Sequence, residues 1–136
     1  MIEKPELDGV LETVLYCDSF NEDKVRDFYV NVLGLRPIEG LPFAYRVGES
    51  NHVFLVFNRD QTGFQDHPPA HGADGSVHAC LTAASGTYDE WKDYLEGKSV
   101  EWRQEQTWGN GQRSFYFDDP AGNLLEIAEG DFWPQA

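Results

Sequence analysis

Residues 11–35, LETVLYCDSFNEDKVRDFYVNVLGL, decide the fold of this chain because they join a strand to an amphipathic helix. The first of these residues are mostly apolar or β-branched and predict a strand over 10–17. Asn21 can cap the helix that follows, and Gly34 can end it in a left-handed conformation. The helix has one apolar face with i, i+3, i+4, i+7, i+8 spacing, formed by Val25, Phe28, Tyr29, Val32 and Leu33.

This strand–helix unit recurs later in the chain at a constant offset of 66 residues (78 − 12 = 66). In the second copy Thr87 and Glu90 form a T-x-x-E capping box, and the helix is expected to end at Gly97. A constant offset across a strand and a helix indicates a duplicated module. The corresponding pairs are Glu12 and His78, Val25 and Trp91, Phe28 and Tyr94, and Tyr29 and Leu95.

The remaining strand signals complete each module. The turn sequence DDPAGN joins the last two strands, and residues 59–75 have the composition of a linker. We therefore expect one α+β domain over 1–136, with two tandem βαβββ modules at about 9–58 and 76–130 forming a curved mixed sheet around a concave site. Strand-like segments lie near 35–39, 43–47, 52–58, 76–82, 99–104, 112–118 and 123–128.

Composition limits the partners that this chain can bind. The formal net charge of −14 argues against nucleic acid and anionic membrane surfaces, whose phosphates it would repel. No apolar stretch is long enough to span a membrane, and MIEKPELDG does not resemble a signal peptide. Cys17 and Cys80 fall inside predicted strands, so we expect buried, reduced thiols in a cytoplasmic protein.

Three ionisable residues interrupt apolar strands: Glu12, His78 and Glu126. Burying such a side chain is costly unless it is paired or bound to a metal. Strand side chains alternate between faces, so all three can lie on one concave surface away from the helices. If Phe115 and Phe117 pack under the helix, Ser114 and Tyr116 join the face of Glu126.

The chain resembles the vicinal oxygen chelate superfamily, which includes glyoxalase I, fosfomycin resistance enzymes, extradiol dioxygenases and bleomycin resistance proteins. The matching stretches are residues 11–35 quoted above, GSVHACLT (75–82) and RSFYFDDPAGNLLEIAE (113–129). Within them, FYVNVLGL and DPAGNLLEI are fairly specific to the superfamily. Together with the repeat plan they cover nearly the whole chain.

The resemblance implies a metal site built from the first and last strands of each module. By position it assigns Glu12, His78 and Glu126 as ligands of a divalent metal, which the donor set allows to be Mn, Fe, Ni, Zn or Mg. Phe54 or Leu55 occupies the fourth position, and neither binds a metal. The site therefore looks more like the three-ligand members than like glyoxalase I. Glu126 stands where glyoxalase I has a glutamate that acts as both ligand and base, so it is the candidate catalytic residue.

Alternative interpretations of these residues remain. In a vestigial site, Glu12 and Glu126 would pair with an arginine such as Arg103 or Arg113, and His78 would simply be hydrogen-bonded. His52 could replace the missing fourth ligand. His67 and His71 have metal-like spacing, but the prolines between them disfavour a helix there. Candidates for the substrate pocket are Tyr16, Tyr45, Phe54, Trp108, Arg113 and Tyr116, and candidates for binding an anion are Arg46, Arg103 and Arg113.

Two main functions follow from these expectations, and a scaffold or sensor domain that has lost both activities is a third possibility. The first is a metal-dependent lyase, isomerase, thiol transferase or dioxygenase whose small oxygenated substrate chelates the metal, which acts as a Lewis acid. The second is a metal-free protein that sequesters a drug, as bleomycin resistance proteins do. The acidic net charge and the missing fourth ligand favour the second, and the intact Glu-His-Glu set favours the first. In either case the resemblance implies a homodimer.

Overall fold

The computed structural model describes residues 3–130 and 132–133 and shows two four-stranded mixed sheets flanked by short helices. Of the helices in this part of the chain, none is long and apolar enough to cross a bilayer. In chain order the elements are β1 (Glu12–Cys17), α1 (Glu22–Asp27), a π-helix (Phe28–Val32), β2 (Arg36–Ile38), β3 (Leu41–Arg46), β4 (Val53–Asn58), α2 (Arg59–Thr62), β5 (His78–Thr82), α3 (Tyr88–Gly97), β6 (Trp102–Thr107), β7 (Arg113–Asp118) and β8 (Leu124–Ala128).

The two sheets have the same topology. Their strand orders are β1-β4-β3-β2 and β5-β8-β7-β6. In each sheet the first strand pairs in parallel with the last strand, and the other pairs are antiparallel. A parallel pair needs a crossover connection, and the helix of each module supplies it. The predicted tandem βαβββ modules are therefore confirmed.

Two predicted boundaries differ from the structure. The strand expected over 99–104 is β6, which begins only at Trp102, because the chain first turns through Ser99 with a φ of 61°. The segment expected to be a linker begins with α2, which Asn58 caps by accepting a hydrogen bond from the backbone N–H of Asp60 at 2.9 Å. The other strands agree with the predictions to within two residues.

One hydrophobic core lies on the helix side of both sheets and joins the modules. Phe28 contacts Phe117 with ring centroids 6.4 Å apart. The Tyr29 hydroxyl donates to Asp119 at 2.6 Å, and this buried hydrogen bond links the first helix to the β7–β8 turn. We call this side the helix face of each sheet and the other side the open face.

The structure confirms only some of the helix ends and caps that the sequence predicts. Gly34 has a φ of 75°, as its role at the end of the first helix requires. Neither predicted cap residue, Asn21 or Thr87, makes a side-chain capping hydrogen bond. The Thr87 hydroxyl instead donates to the carbonyl of Ala84 at 2.6 Å, which satisfies it within the preceding turn.

Candidate functional site

His78 and Glu126 lie together on the open face of the second sheet. His78 begins β5, and Glu126 is in β8 directly opposite Cys80. The His78 Nε2 atom is 3.0 Å from Oε1 of Glu126. The side chain of Glu126 is only 7% exposed, whereas that of His78 is 44% exposed. The pair therefore places a buried carboxylate behind an imidazole that solvent can reach.

Cys80 and Tyr116 flank the buried carboxylate on the neighbouring strands. Tyr116 is the partner of Glu126 across β7 and β8, and its ring lies 6.1 Å from the ring of His78. Burial and the negative charge of Glu126 raise the pKa of the Cys80 thiol to about 12. Burial raises the pKa of Tyr116; the Ser114 hydroxyl opposes this in part, and Glu126 adds to the rise. Both groups are thus protonated at neutral pH.

No arginine or lysine neutralises Glu126 among the residues that the structure describes. Arg103 pairs with Asp118 at 2.7 Å. Arg113 pairs with Asp89 and Glu129 on the helix side of the sheet, and its guanidinium stacks on Tyr88. Neither arginine pairs with Glu126 in the way that the interpretation of a vestigial site expected. Arg113 also lies outside the substrate pocket in which the sequence analysis placed it.

Ser114 extends the site along β7. As predicted, Ser114 and Tyr116 share the face of Glu126, because Phe115 and Phe117 are fully buried on the helix face. The Ser114 hydroxyl accepts a hydrogen bond from the Trp108 indole N–H at 3.0 Å. Trp108, one of the predicted pocket residues, therefore stands over this end of the open face.

Glu12 lies in the other module, on the face that also carries Val14 and Tyr16. Within the described residues no three His, Cys, Asp or Glu side chains are grouped closely enough to hold a metal. The β7–β8 turn contacts the far end of β1, where the Asn123 amide donates to the carbonyl of Tyr16 at 2.8 Å. Glu12 is four residues from that contact, or about 13 Å along the strand.

The strand register identifies the fourth position. Leu55 is opposite Val14 in the first sheet, just as Glu126 is opposite Cys80 in the second. Leu55 is therefore the counterpart of Glu126. Phe54, the other candidate, points to the helix face and packs against Tyr29 with ring centroids 5.4 Å apart.

The remaining candidates take other positions. Tyr45 is buried in the core against Tyr29. His52 shares the face of Phe54, and its Nε2 lies 2.6 Å from the Thr13 hydroxyl. Arg46 is exposed and donates to the carbonyl of Asn51 at 3.4 Å. These residues therefore do not gather around the pair of His78 and Glu126.

Sequence reasoning missed two neighbours of the candidate pocket residues. Cys17 is buried as expected, but Cys80 is exposed beside Glu126. Strand parity already placed Cys80 on that face and was the signal for it. His71 lies in the linker, where its Nδ1 is 2.8 Å from the Tyr16 hydroxyl and its ring contacts Phe57. No pattern in the sequence indicated that contact.

Comparisons with known proteins agree with this architecture. A family profile described as the Glyoxalase/Bleomycin resistance protein/Dioxygenase superfamily matches residues 16–127. The crystal structure named lactoylglutathione lyase from Agrobacterium tumefaciens has a TM-score of 0.84 and 32% identity, covering 96% of this chain and 100% of that one. A search of curated proteins finds no match.

Two more distant structures share the fold. TnmS3, an antibiotic binding protein from Streptomyces sp. CB03234, has a TM-score of 0.67 and 16% identity, covering 94% of this chain and 100% of that one. A member of the same superfamily from Sphaerobacter thermophilus has a TM-score of 0.66 and 18% identity, covering 91% and 98%.

Proposed function

Because the chain belongs to the Glyoxalase/Bleomycin resistance protein/Dioxygenase superfamily, we propose that it is a metal-dependent enzyme that acts on a small oxygenated substrate. A divalent metal would be held by Glu12, His78 and Glu126. The observation that carries this proposal is the buried carboxylate of Glu126, which faces an accessible imidazole and has no arginine or lysine partner among the described residues. A buried carboxylate is stabilised by hydrogen bonds and by a nearby positive charge, and a bound metal ion would supply that charge beside His78.

The donor atoms of the second module fit a metal. The distance of 3.0 Å between His78 Nε2 and Glu126 Oε1 matches two neighbouring ligands that each lie about 2.1 Å from one ion. An imidazole and carboxylates suit Zn, Mn, Fe or Ni, and the carboxylates also suit Mg. With Leu55 in place of a fourth ligand, the donor set leaves coordination positions for substrate oxygens.

The bound ion would polarise the substrate's oxygen atoms and stabilise the negative charge that develops on them. The chain's own residues would move the proton. Glu126 is the proposed base, since it is a carboxylate at the centre of the site with hydrogen-bonding neighbours on both flanking strands. His78 and Glu126 would lie side by side as neighbouring ligands, so the position of the imidazole limits where the carboxylate can move. Tyr116 and Cys80 stay protonated at neutral pH and supply hydrogen-bond donors to it.

We further propose that the site is completed between two copies of the chain. Within one chain Glu12 does not join His78 and Glu126. A homodimer in which the first module of one copy faces the second module of the other would bring Glu12 to the pair. The active unit would then contain two equivalent sites, each with ligands from both subunits.

Lyase chemistry is the first reaction class to test, because the similarity to lactoylglutathione lyase at 32% identity extends over nearly the whole chain. The second candidate, metal-free drug binding, is supported only by the net charge of −14 and the leucine at the fourth position. The two candidates differ in whether purified protein retains a metal.

The deciding experiment measures metal content by elemental mass spectrometry on untagged protein prepared without chelator. We expect one divalent ion per chain in the wild type and in the control His67→Ala, which removes an exposed linker imidazole. His78→Ala and Glu12→Ala should each lose the ion. A wild type that stays metal-free after incubation with Mn²⁺, Fe²⁺, Ni²⁺ and Zn²⁺ would overturn the enzyme proposal in favour of drug binding.

A mixing experiment tests whether the site is shared. Glu12→Ala and His78→Ala chains are unfolded and refolded together, and metal content is measured again. In a shared site, half of the sites in each mixed dimer regain all three ligands, so metal binding returns. If each site lies within one chain, the mixture stays as metal-poor as its components. Sedimentation velocity gives the oligomeric state of each sample, and a monomeric wild type would refute the shared site.

A further inference from the structure

We infer that Trp108, Phe132 and Tyr116 form an aromatic wall beside the His78–Glu126 pair, and that this wall binds a neutral, planar aromatic group of the substrate. This inference rests on the proposed function and narrows its substrate class. It makes the three aromatic residues determinants of specificity. The wall joins the β6–β7 loop, β7 and the segment that follows β8.

The wall is held by defined contacts. The rings of Trp108 and Phe132 meet edge to face, with centroids 5.7 Å apart and planes at 84°. The Asn110 side-chain amide donates to the carbonyl of Phe132 at 2.7 Å, which fixes the segment after β8 to the β6–β7 loop. Edge-to-face contact is a favoured geometry for aromatic pairs, because the positive edge of one ring meets the negative face of the other. Phe132 is half-buried in this arrangement, whereas Trp108 remains 41% exposed.

The wall is continuous with the candidate metal ligands. Trp108 donates to Ser114, and Ser114 is two residues from Tyr116 on the same face of β7. Tyr116 is opposite Glu126, and its ring is tilted by only 33° from the ring of His78. A planar group placed beside Tyr116 would therefore lie between the indole and the imidazole. Its oxygen substituents would face the ligands.

The charges on this face exclude an anionic substituent as the main anchor. The cation nearest to it in β6, Arg103, is bound to Asp118 at 2.7 Å. Gln104 and Gln106, opposite Tyr116 and Ser114, are neutral. The chain as a whole carries a formal charge of −14. An aromatic group gains contact with the wall without needing a positive partner, whereas a carboxylate or phosphate would be repelled.

The test compares two chelators that carry the same head group. Benzohydroxamate and acetohydroxamate both present two vicinal oxygens, and only the first has a phenyl ring. Isothermal titration of metal-loaded wild type should give a dissociation constant at least tenfold lower for benzohydroxamate. Phe132→Ala should reduce this difference to threefold or less and leave acetohydroxamate binding unchanged. The control Phe20→Ala, which removes an exposed ring elsewhere, should keep the full difference.

A second measurement does not depend on the metal. Chelator-treated, ¹⁵N-labelled protein is titrated with benzamide or acetamide, and the indole N–H signal of Trp108 is assigned from its loss in Trp108→Phe. Benzamide should shift this signal and acetamide should not. A Trp108 signal that does not respond to benzamide, or equal affinities for the two hydroxamates in metal-loaded protein, overturns the aromatic wall. If benzamide shifts the signal but the wild type never binds metal, the wall stands and the enzyme proposal fails.

Discussion

The hydrogen bond between Tyr29 and Asp119 is the contact whose removal should most clearly weaken the union of the two modules. Tyr29→Phe deletes only the hydroxyl, which donates to the carboxylate at 2.6 Å. Burial and Asp119 raise the pKa of Tyr29 well above its usual value, so the hydroxyl stays a donor across the accessible pH range. The ring itself can remain in its position, fully buried against Tyr45 and Phe54.

The expected loss of stability depends on the hydrogen bonds that the Asp119 carboxylate keeps in Tyr29→Phe. Asp119 still accepts hydrogen bonds from the backbone N–H groups of Ala121 and Asn123 and from the Asn123 side chain, at 2.8–2.9 Å. In Tyr29→Phe one buried lone pair of the Asp119 carboxylate therefore loses its hydrogen-bond donor. A hydrogen bond to a charged group contributes about 1.5–3 kcal/mol, so we expect a loss of about 2 kcal/mol. In a chain of this size that lowers the melting temperature by roughly 7 °C.

Urea unfolding followed by tryptophan fluorescence and by circular dichroism measures this loss. Tyr94→Phe is the matched control, because it removes a hydroxyl that also joins the two modules, bonded to the carbonyl of Val32 at 2.7 Å, from a side chain that is 40% exposed. That neutral, exposed bond should contribute less than about 1 kcal/mol. If Tyr29→Phe loses no more than Tyr94→Phe, the bond to Asp119 does not have the role that we assign to it.

Three further predictions concern single positions. Leu55→Glu adds a carboxylate at the counterpart of Glu126. Competition with a chelator should show that the variant binds metal about tenfold more tightly than the wild type. Unchanged metal affinity would contradict the assignment of Leu55 to the fourth ligand position. Ser99→Gly should stabilise the fold by about 0.5–1 kcal/mol, because Ser99 has a φ of 61° and a left-handed non-glycine residue is strained. Thermal unfolding measures this effect, and a lower melting temperature in the variant would refute it. The pKa of the Cys80 thiol is raised to about 12, so its alkylation should be slow at pH 7.5, become faster as the pH rises and be faster in Glu126→Gln. Cys17 is 1% exposed and should not react in the native state. Fast reaction of Cys80 at neutral pH would show that Glu126 does not suppress formation of the thiolate.

The sequence predicted the fold well because two independent signals agreed. The repeat offset defined the modules, and the alternation of apolar residues assigned the faces of β5, β7 and β8. The same alternation correctly predicted that Ser114 and Tyr116 share the face of Glu126. The alternation depends only on local periodicity, and both signals can be read from a single sequence.

The site was less predictable because it depends on relations between distant segments. Parity allowed Glu12 to join His78, but parity cannot show at which end of β1 the second module docks. The contact of Asn123 with Tyr16 reveals that. The sequence could not decide whether Phe54 or Leu55 occupies the fourth ligand position, because that depends on how β4 pairs with β1. A shift of one residue moves a side chain to the opposite face.

The π-helix marks a difference in length between the two copies of the module. In the first module Leu35 N–H bonds to the carbonyl of Tyr29, six residues back, and in the second Val100 N–H bonds to the carbonyl of Leu95, five residues back. Tyr29 and Leu95 are 66 residues apart, but Leu35 and Val100 are 65 apart (100 − 35 = 65). Over this stretch the first copy is therefore one residue longer than the second, and the wide π turn accommodates the additional residue. Deleting one residue from 28–32 should return this segment to ordinary helical geometry and restore the symmetry of the two copies.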